Sequence, residues 1–268
     1  RPKTQLAGRL VLLAVDHPAR NVTAIGDRPL AMADRADLLD RTRHVLLGGA
    51  ADGVMASMDV LEELLLLDYI GPAFLEGKVL LASLNRGGLA GSVWELDDPV
   101  TGPTPDDVMR WNLDGGKLLL RVAHDDPASL RTLQACAAAI RKLNALRLAT
   151  FLEPLPVKLS DHRWTVDAEA SALARLVGVA SALGDGASRT WLKLPWCEDF
   201  ATVARATTLP IVLLGGPTGS SSFTEQLADA IGAGSNVRGA MVGRRILYAD
   251  DPLEAAREVH ALVHGEPR

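Results

Sequence analysis

Eight apolar runs of strand length alternate with amphipathic helical stretches along the whole chain, and no other feature restricts the fold as much. The runs cover 10–16, 53–58, 79–84, 117–123, 148–153, 188–194, 210–215 and 239–244. The helical patterns cover 33–47, 59–67, 106–112, 127–146, 166–183, 197–206, 223–231 and 252–263. Asp251 before Pro252, and Ser221 with Ser222 before Phe223, read as helix starts. Strands that are apolar almost throughout belong to a sheet covered on both faces. Regular strand–helix alternation builds right-handed crossovers and a parallel sheet. Eight such units predict a (β/α)8 TIM barrel, an architecture of about 250 residues. The 268 residues match that size as one domain over 1–268. A doubly wound open sheet would show an early G-x-G-x-x-G turn, whereas the first run ends in Asp16-His17-Pro18.

Composition narrows the partners. A net charge of −5 argues against a nucleic-acid binder, which needs a basic face. No apolar run reaches the ~18 residues of a membrane span, and no signal peptide precedes the first strand. The chain begins with Arg1, which leaves an upstream segment open. Cys136 and Cys197 form no CxxC pair, so a reducing, cytoplasmic setting is expected. Cys197 reads as a packed thiol.

Several of the apolar strands carry charges. Side chains of a barrel strand alternate between the lumen and the helix layer. In Thr190-Trp191-Leu192-Lys193-Leu194 the leucines suit the helix layer, which aims Lys193 inward. Leu118, Leu120 and Val122 share one face of their strand, and Lys117 and Arg121 share the other. Glu153 points inward beside an outward Leu152, and Asp16 is in phase with Leu12 and Ala14. Isolated buried charges are costly, so such groups are paired or functional. A salt-bridged polar plug is the bland alternative. A lysine beside a second ammonium in a partly desolvated pocket loses its proton more easily, and the neutral amine can attack a carbonyl to form a Schiff base.

Two further regions sit at the C-terminal mouth, where barrels place their active sites. A long connection runs from Asn85-Arg86-Gly87-Gly88 through Trp94 to Pro105. Asn85 and Arg86 are candidates for holding substrate carboxylate or hydroxyl groups, or for anchoring the loop. The seventh strand runs into Gly215-Gly216-Pro217-Thr218-Gly219-Ser220, and the eighth into Val242-Gly243-Arg244-Arg245. Loops after the last two barrel strands often present backbone N–H groups to phosphate. His17 and His124-Asp125-Asp126 lack tight ligand spacing, so neither a metal nor another cofactor is expected.

These residues carry a resemblance. The chain resembles the class I aldolase superfamily of deoxyribose-phosphate, archaeal-type fructose-bisphosphate and tagatose-bisphosphate aldolases. The likeness lies in Ala14-Val15-Asp16-His17, Gly116-Lys117-Leu118-Leu119, Phe151-Leu152-Glu153-Pro154, the Lys193 strand, and the Gly-Gly plus Val242-Gly243-Arg244 ending. It implies an imine on Lys193, assisted by Lys117, Glu153 and Asp16. It also implies a phosphorylated keto sugar or sugar acid as substrate; the residues read as its binding groups are Asn85, Arg86, Arg121, Gly215, Gly216, Gly243 and Arg244, and a homo-oligomer is expected. Departures are present: the common Gly-Arg-Asn ending reads Gly243-Arg244-Arg245, and the tyrosine some relatives use near the fourth or fifth strand is missing. The 85–88 loop is similar to actinobacterial aldolase-like proteins of inositol breakdown. That branch implies 2-deoxy-5-keto-gluconate 6-phosphate as substrate, giving dihydroxyacetone phosphate and malonate semialdehyde. A sugar-phosphate isomerase or decarboxylase, or a non-catalytic sugar-phosphate sensor, would use the same phosphate loops without needing the inward lysine pair.

Overall fold

The computed structural model describes residues 8–216 and 222–265. The elements in chain order are β1 (Leu10–Val15), α1 (Arg35–Leu47), β2 (Gly53–Ala56), α2 (Met58–Ile70), β3 (Val79–Ser83), α3 (Pro105–Arg110), β4 (Gly115–Val122), α4 (Ala128–Ala145) and β5 (Ala149–Ser160). They continue with β6 (Arg163–Val166), α5 (Ala170–Ser181), β7 (Thr190–Leu194), α6 (Phe200–Arg205), β8 (Ile211–Leu214), α7 (Phe223–Ala233), β9 (Val237–Val242), α8 (Arg244–Leu247) and α9 (Pro252–His264). The strands run β4-β3-β2-β1-β9-β8-β7-β5, and β4 pairs with β5 to close the ring. The sheet is a closed eight-stranded parallel barrel with helices between its strands, as the alternation predicts.

Strand alternation sorts the core into two layers. Val11, Leu13, Leu118, Leu120, Leu152, Leu192 and Leu213 pack outward against the helices. Leu12, Ala14, Met55, Leu81, Phe151, Trp191, Val212 and Met241 fill the lumen. Phe151 and Trp191 stack with ring centroids 5.5 Å apart. They pave the lumen one strand step below Glu153 and Lys193. Helix starts follow local chemistry: Asp251 Oδ1 accepts from Leu253 N and Glu254 N, and Thr104 with Asp107 forms a capping box on α3.

Three elements depart from the sequence reading. The fifth strand does not stop at Glu153 but continues to Ser160 and turns back through β6 as an antiparallel hairpin. Asp161 and His162 both take positive φ, 49° and 60°, as a tight two-residue hairpin loop requires. Val166 therefore belongs to β6, and α5 starts later than the helical pattern does. The last strand begins at Val237 and ends at Val242, so Arg244 opens α8 rather than closing the strand. A register shift leaves Arg238 out of the β8–β9 ladder. Its neighbour Gly239 has φ +148°, and a Cβ there would lie 1.9 Å from Leu10 O, so only glycine fits this bulge.

Candidate active site

Four charged side chains meet in the lumen just above the aromatic floor. Asp16, Lys117, Glu153 and Lys193 are all buried. They come from β4, β5, β7 and the end of β1, each from an inward position of its strand. Lys117 Nζ lies 2.6 Å from Glu153 Oε2 and 3.4 Å from Asp16 Oδ2. Lys193 Nζ lies 3.2 Å from the same Glu153 oxygen. The order across the lumen is thus Asp16, Lys117, Glu153, Lys193, with the signs alternating.

The alternation sets the protonation states. Burial resists ionisation of Glu153, yet the flanking Lys117 and Lys193 ammonium groups hold its pKa down at about 2. Burial likewise resists ionisation of Asp16, and Lys117 and Arg86 hold it well below the usual carboxylate range. Burial lowers the Lys117 pKa against the pull of both carboxylates, and Lys193 adds to the lowering.

Arg86 and Ser83 complete the Asp16 end. Arg86 Nη1 donates to Asp16 Oδ2 at 2.7 Å and to Ser83 Oγ at 2.8 Å, and its Nη2 donates to the Asp16 carbonyl. Ser83 Oγ donates to Asp16 Oδ2 at 2.9 Å. Ser83 is not among the candidates drawn from the sequence. Its signal was there: a hydroxyl two residues after the lumen-facing Leu81, in an otherwise apolar strand.

On the other side of Lys193 is a cavity of about 90 Å³. Lys193 and Glu153 form one wall, and Gly215, Gly216, Gly243 and Arg244 form the rim, with His17 beside them. The turn residues and the lysine cluster therefore share one space. Pro217, Thr218, Gly219 and Ser220 lie outside the described residues. Gly243 is packed hard against β1: a Cβ would come within 2.2 Å of Ala14 O and 2.6 Å of His17 Cε1. Ala240 and Val242 pack into the helix layer, while Arg244, on α8, lines the cavity. His17 Nδ1 is buried with no hydrogen-bond partner among the described residues. Burial pushes the His17 pKa down to about 4, Arg244 and Lys193 adding to the fall against Asp16, so the ring is neutral near pH 7.

Asn85 and Arg121, candidates for holding substrate, make their hydrogen bonds in this structure to β4 and to the long loop. Asn85 Nδ2 donates to Leu119 O at 2.6 Å and to Asp98 O at 3.4 Å, while its Oδ1 accepts from Leu119 N at 2.8 Å. That arrangement mimics a strand partner for β4 and occupies the amide. Arg121 reaches the Glu95 carboxylate and carbonyl and donates to Gly88 O at 2.9 Å. Arg20, which the sequence reading did not single out, pairs with buried Asp98 at 2.6 Å and also bonds Gly88 O. The loop is thus an ordered wall held by buried ion pairs. His124 is exposed, and Asp126 Oδ1 accepts from Ala128 N at the start of α4. Both thiols are buried, which pushes Cys136 up to about 12 and Cys197 up to about 11; neither is a nucleophile at neutral pH. Among the described residues no helix is long and apolar enough to cross a membrane.

Several solved structures share this architecture. The chain superposes on Cgl0159 from Corynebacterium glutamicum with a TM-score of 0.92 and 34% identity, covering 100% of this chain and 89% of that one. An archaeal fructose-1,6-bisphosphate aldolase, with its catalytic lysine covalently bound to the carbinolamine intermediate of its substrate, has the same fold. It superposes with a TM-score of 0.70 at 19% identity, over 96% of this chain and 95% of that one. The 2-amino-3,7-dideoxy-D-threo-hept-6-ulosonate synthase 1 of Archaeoglobus fulgidus is 35% identical over 75 residues, a stretch spanning 28% of each chain. A family model described as Cgl0159-like matches residues 8–261. With that match spanning nearly the whole sequence, the chain belongs to the Cgl0159-like family.

Proposed function

We propose that this protein is a cytoplasmic class I aldolase, breaking or forming a C–C bond in a phosphorylated keto sugar or sugar acid through a Schiff base on Lys193. One observation carries the reading. Two lysines share a single carboxylate oxygen at the edge of a cavity whose rim is made of the Gly215–Gly216 turn and Gly243–Arg244. A sugar-phosphate isomerase or decarboxylase, or a sugar-phosphate sensor, would form no imine and needs no Schiff-base lysine beside a second ammonium. The resemblance to Schiff-base aldolases and the fold of the archaeal fructose-bisphosphate aldolase point the same way.

In the cleavage direction Lys193, once its ammonium proton has been released, attacks the substrate ketone through the nitrogen lone pair, and the carbonyl π electrons move to oxygen. The oxygen takes one proton from the attacking nitrogen and a second from Lys117, which lies on the far side of the same Glu153 oxygen with a pKa lowered by burial, and it leaves as water. The resulting iminium is the electron sink. Glu153 then takes the proton of the hydroxyl beyond the breaking bond. The O–H pair becomes the new carbonyl, and the C–C pair flows into the iminium as an enamine. As the iminium is neutralised, the cation beside Glu153 disappears, so the carboxylate gains basicity during the step that needs it. The aldehyde departs. Glu153 returns its proton to the enamine carbon, and water hydrolyses the resulting iminium, its proton going back to Lys117 as the ketone leaves and Lys193 is restored. Asp16, held by Arg86, Ser83 and Lys117, fixes the Lys117 ammonium in place.

We place the substrate phosphate in the cavity beside Lys193, between the Gly215–Gly216 turn and Gly243–Arg244, with the rest of the sugar extending past its rim. The proposed substrate within this class is 2-deoxy-5-keto-gluconate 6-phosphate, supported by the likeness of the 85–88 loop. The test is borohydride trapping with a small panel of keto-sugar phosphates, read by intact mass. A substrate-sized adduct on the wild type, lost in Lys193→Ala, is the expected result. A full-yield adduct in Lys193→Ala overturns the assignment. Because the iminium does the work of a Lewis acid, turnover should persist in EDTA; loss restored by a divalent ion would place the enzyme in a metal-dependent class.

A further inference from the structure

At the opposite end of the barrel, Asp52, His260 and His264 form a second cluster of chemically competent side chains. Asp52 lies in the turn just before β2, at the N-terminal ends of the strands. His260 and His264 are four residues apart on α9, which puts both imidazoles on one helix face. Their rings are 4.2 Å apart, tilted by 31°. His264 Nε2 is 2.9 Å from Asp52 Oδ2, and His260 Nε2 is 3.9 Å from Asp52 Oδ1. One potential ligand atom from each of the three residues lies within 4.8 Å of the others.

We infer that Asp52, His260 and His264 bind a divalent transition metal of the zinc class at the barrel base, tying α9 to the turn before β2. Zinc–nitrogen and zinc–oxygen bonds of about 2.0–2.2 Å in a tetrahedron put neighbouring ligand atoms roughly 3.3 Å apart. The ligand atoms lie within 4.8 Å of one another, so they must close by at most about 1.5 Å to reach that spacing. Two imidazoles and one carboxylate suit zinc and its neighbours, whereas calcium and magnesium favour all-oxygen shells. The three side chains are 19–26% exposed, so the ion can enter and water can complete the shell. Asp52 Oδ2 also accepts from Val11 N at 2.6 Å, an outer contact that orients the carboxylate as second partners do in metal sites. The Lys78 ammonium, bonded to Ala51 O at 2.6 Å, and the Arg9 guanidinium, bonded to Val263 O at 2.6 Å beside His264, are nearby charges that oppose a cation.

This site is independent of the chemistry proposed at Lys193, which sits at the other barrel mouth. The test uses the full chain without an affinity tag, stripped with chelator, desalted and titrated with zinc chloride in a calorimeter. One equivalent per chain at micromolar Kd or tighter is expected. Zinc at a hundredfold excess over Kd should raise Tm by about 5–10 °C. His260→Ala and His264→Ala should each weaken binding at least tenfold, and both are part-exposed positions that leave the core intact. Cobalt(II) added to the wild type should give the intense visible bands of a four-coordinate site. Absence of zinc uptake, equal affinity in the double alanine variant, or a cobalt spectrum like that of the aqueous ion would overturn the inference.

Discussion

Lys117 and Lys193 reach for the same atom: Glu153 Oε2 lies 2.6 Å from the first ammonium and 3.2 Å from the second. Neither lysine can be changed without altering the charge the other one feels, because the carboxylate transmits it. The two lysines differ in their second partner. Lys117 also contacts Asp16, which Arg86 anchors, whereas Lys193 opens onto the cavity. That asymmetry supports the proposal that Lys193 is the nucleophile and Lys117 the supporting charge.

Lys117→Met should therefore show itself in a pH profile. Burial raises the Glu153 pKa, and Lys117 is the foremost of the charges that bring it down to about 2. Without Lys117 the burial contribution is less opposed, so the pKa rises toward or beyond the usual carboxylate range. The acid limb of turnover should move upward in pH, while borohydride trapping on Lys193 persists. A pH–rate profile with an unmoved acid limb would mean that Glu153 is not the titrating base.

His17 should make stability pH-dependent. Its folded pKa is near 4, against about 6.5 when exposed. Above pH 6.5 the ring is neutral in both states and costs nothing. As pH falls from 6.5 towards 4, the unfolded chain takes up a proton that the folded chain refuses, so stability is lost. The expected loss is ~2–4 kcal/mol across that window. Denaturant titrations at pH 7 and pH 4.5 should show a smaller gap in His17→Asn than in the wild type. An equal gap would mean that other groups carry the acid sensitivity.

The barrel was legible because its signal is repeated eight times, and each inward charge stood out against an apolar strand. The alternation rule aimed Lys117, Glu153 and Lys193 correctly since register in a closed barrel leaves a side chain only two directions. The hairpin of β5 and β6 was hidden by Pro154 and Pro156. Proline usually ends a central strand, yet here both are accommodated beside Leu120 and Val122 of β4. Asn85 and Arg121 illustrate a different limit. Their inward or mouth-facing position was readable, but the groups that claim them, the Leu119 backbone and Glu95, depend on how a long loop folds back. The Asp52–His260–His264 cluster joins residues more than 200 positions apart, and the sequence offered only the four-residue histidine spacing.

Phe151→Ala should separate folding from chemistry. Phe151 is fully buried and stacks on Trp191 directly beneath the charged cluster. Removing the ring leaves a void in a closed lumen that cannot collapse easily, at a cost of ~3–5 kcal/mol. Chemical denaturation should report that loss. Phe151→Leu should recover most of the stability. A loss below about 1 kcal/mol for Phe151→Ala would mean that the floor of the lumen is loosely packed.

Arg244→Ala tests the phosphate end of the proposed site. Arg244 lines the cavity with Gly215, Gly216, Gly243 and Lys193, and burial keeps its guanidinium short of full hydration. A phosphate there would gain a charge-assisted hydrogen bond, stronger than a neutral one. Losing it should weaken binding of a phosphorylated substrate by ~1.5–3 kcal/mol, roughly 10- to 150-fold in KM or Kd. A non-phosphorylated analogue has no such bond to lose, and its kinetics should barely change. Arg244 is also the first residue of α8, so a purely structural role would impair both substrates alike. Measuring kcat/KM for the matched pair in wild type and variant distinguishes the two. Equal losses would reassign Arg244 to bracing the turn after β9 and leave the backbone of Gly215, Gly216 and Gly243 as the anion contact.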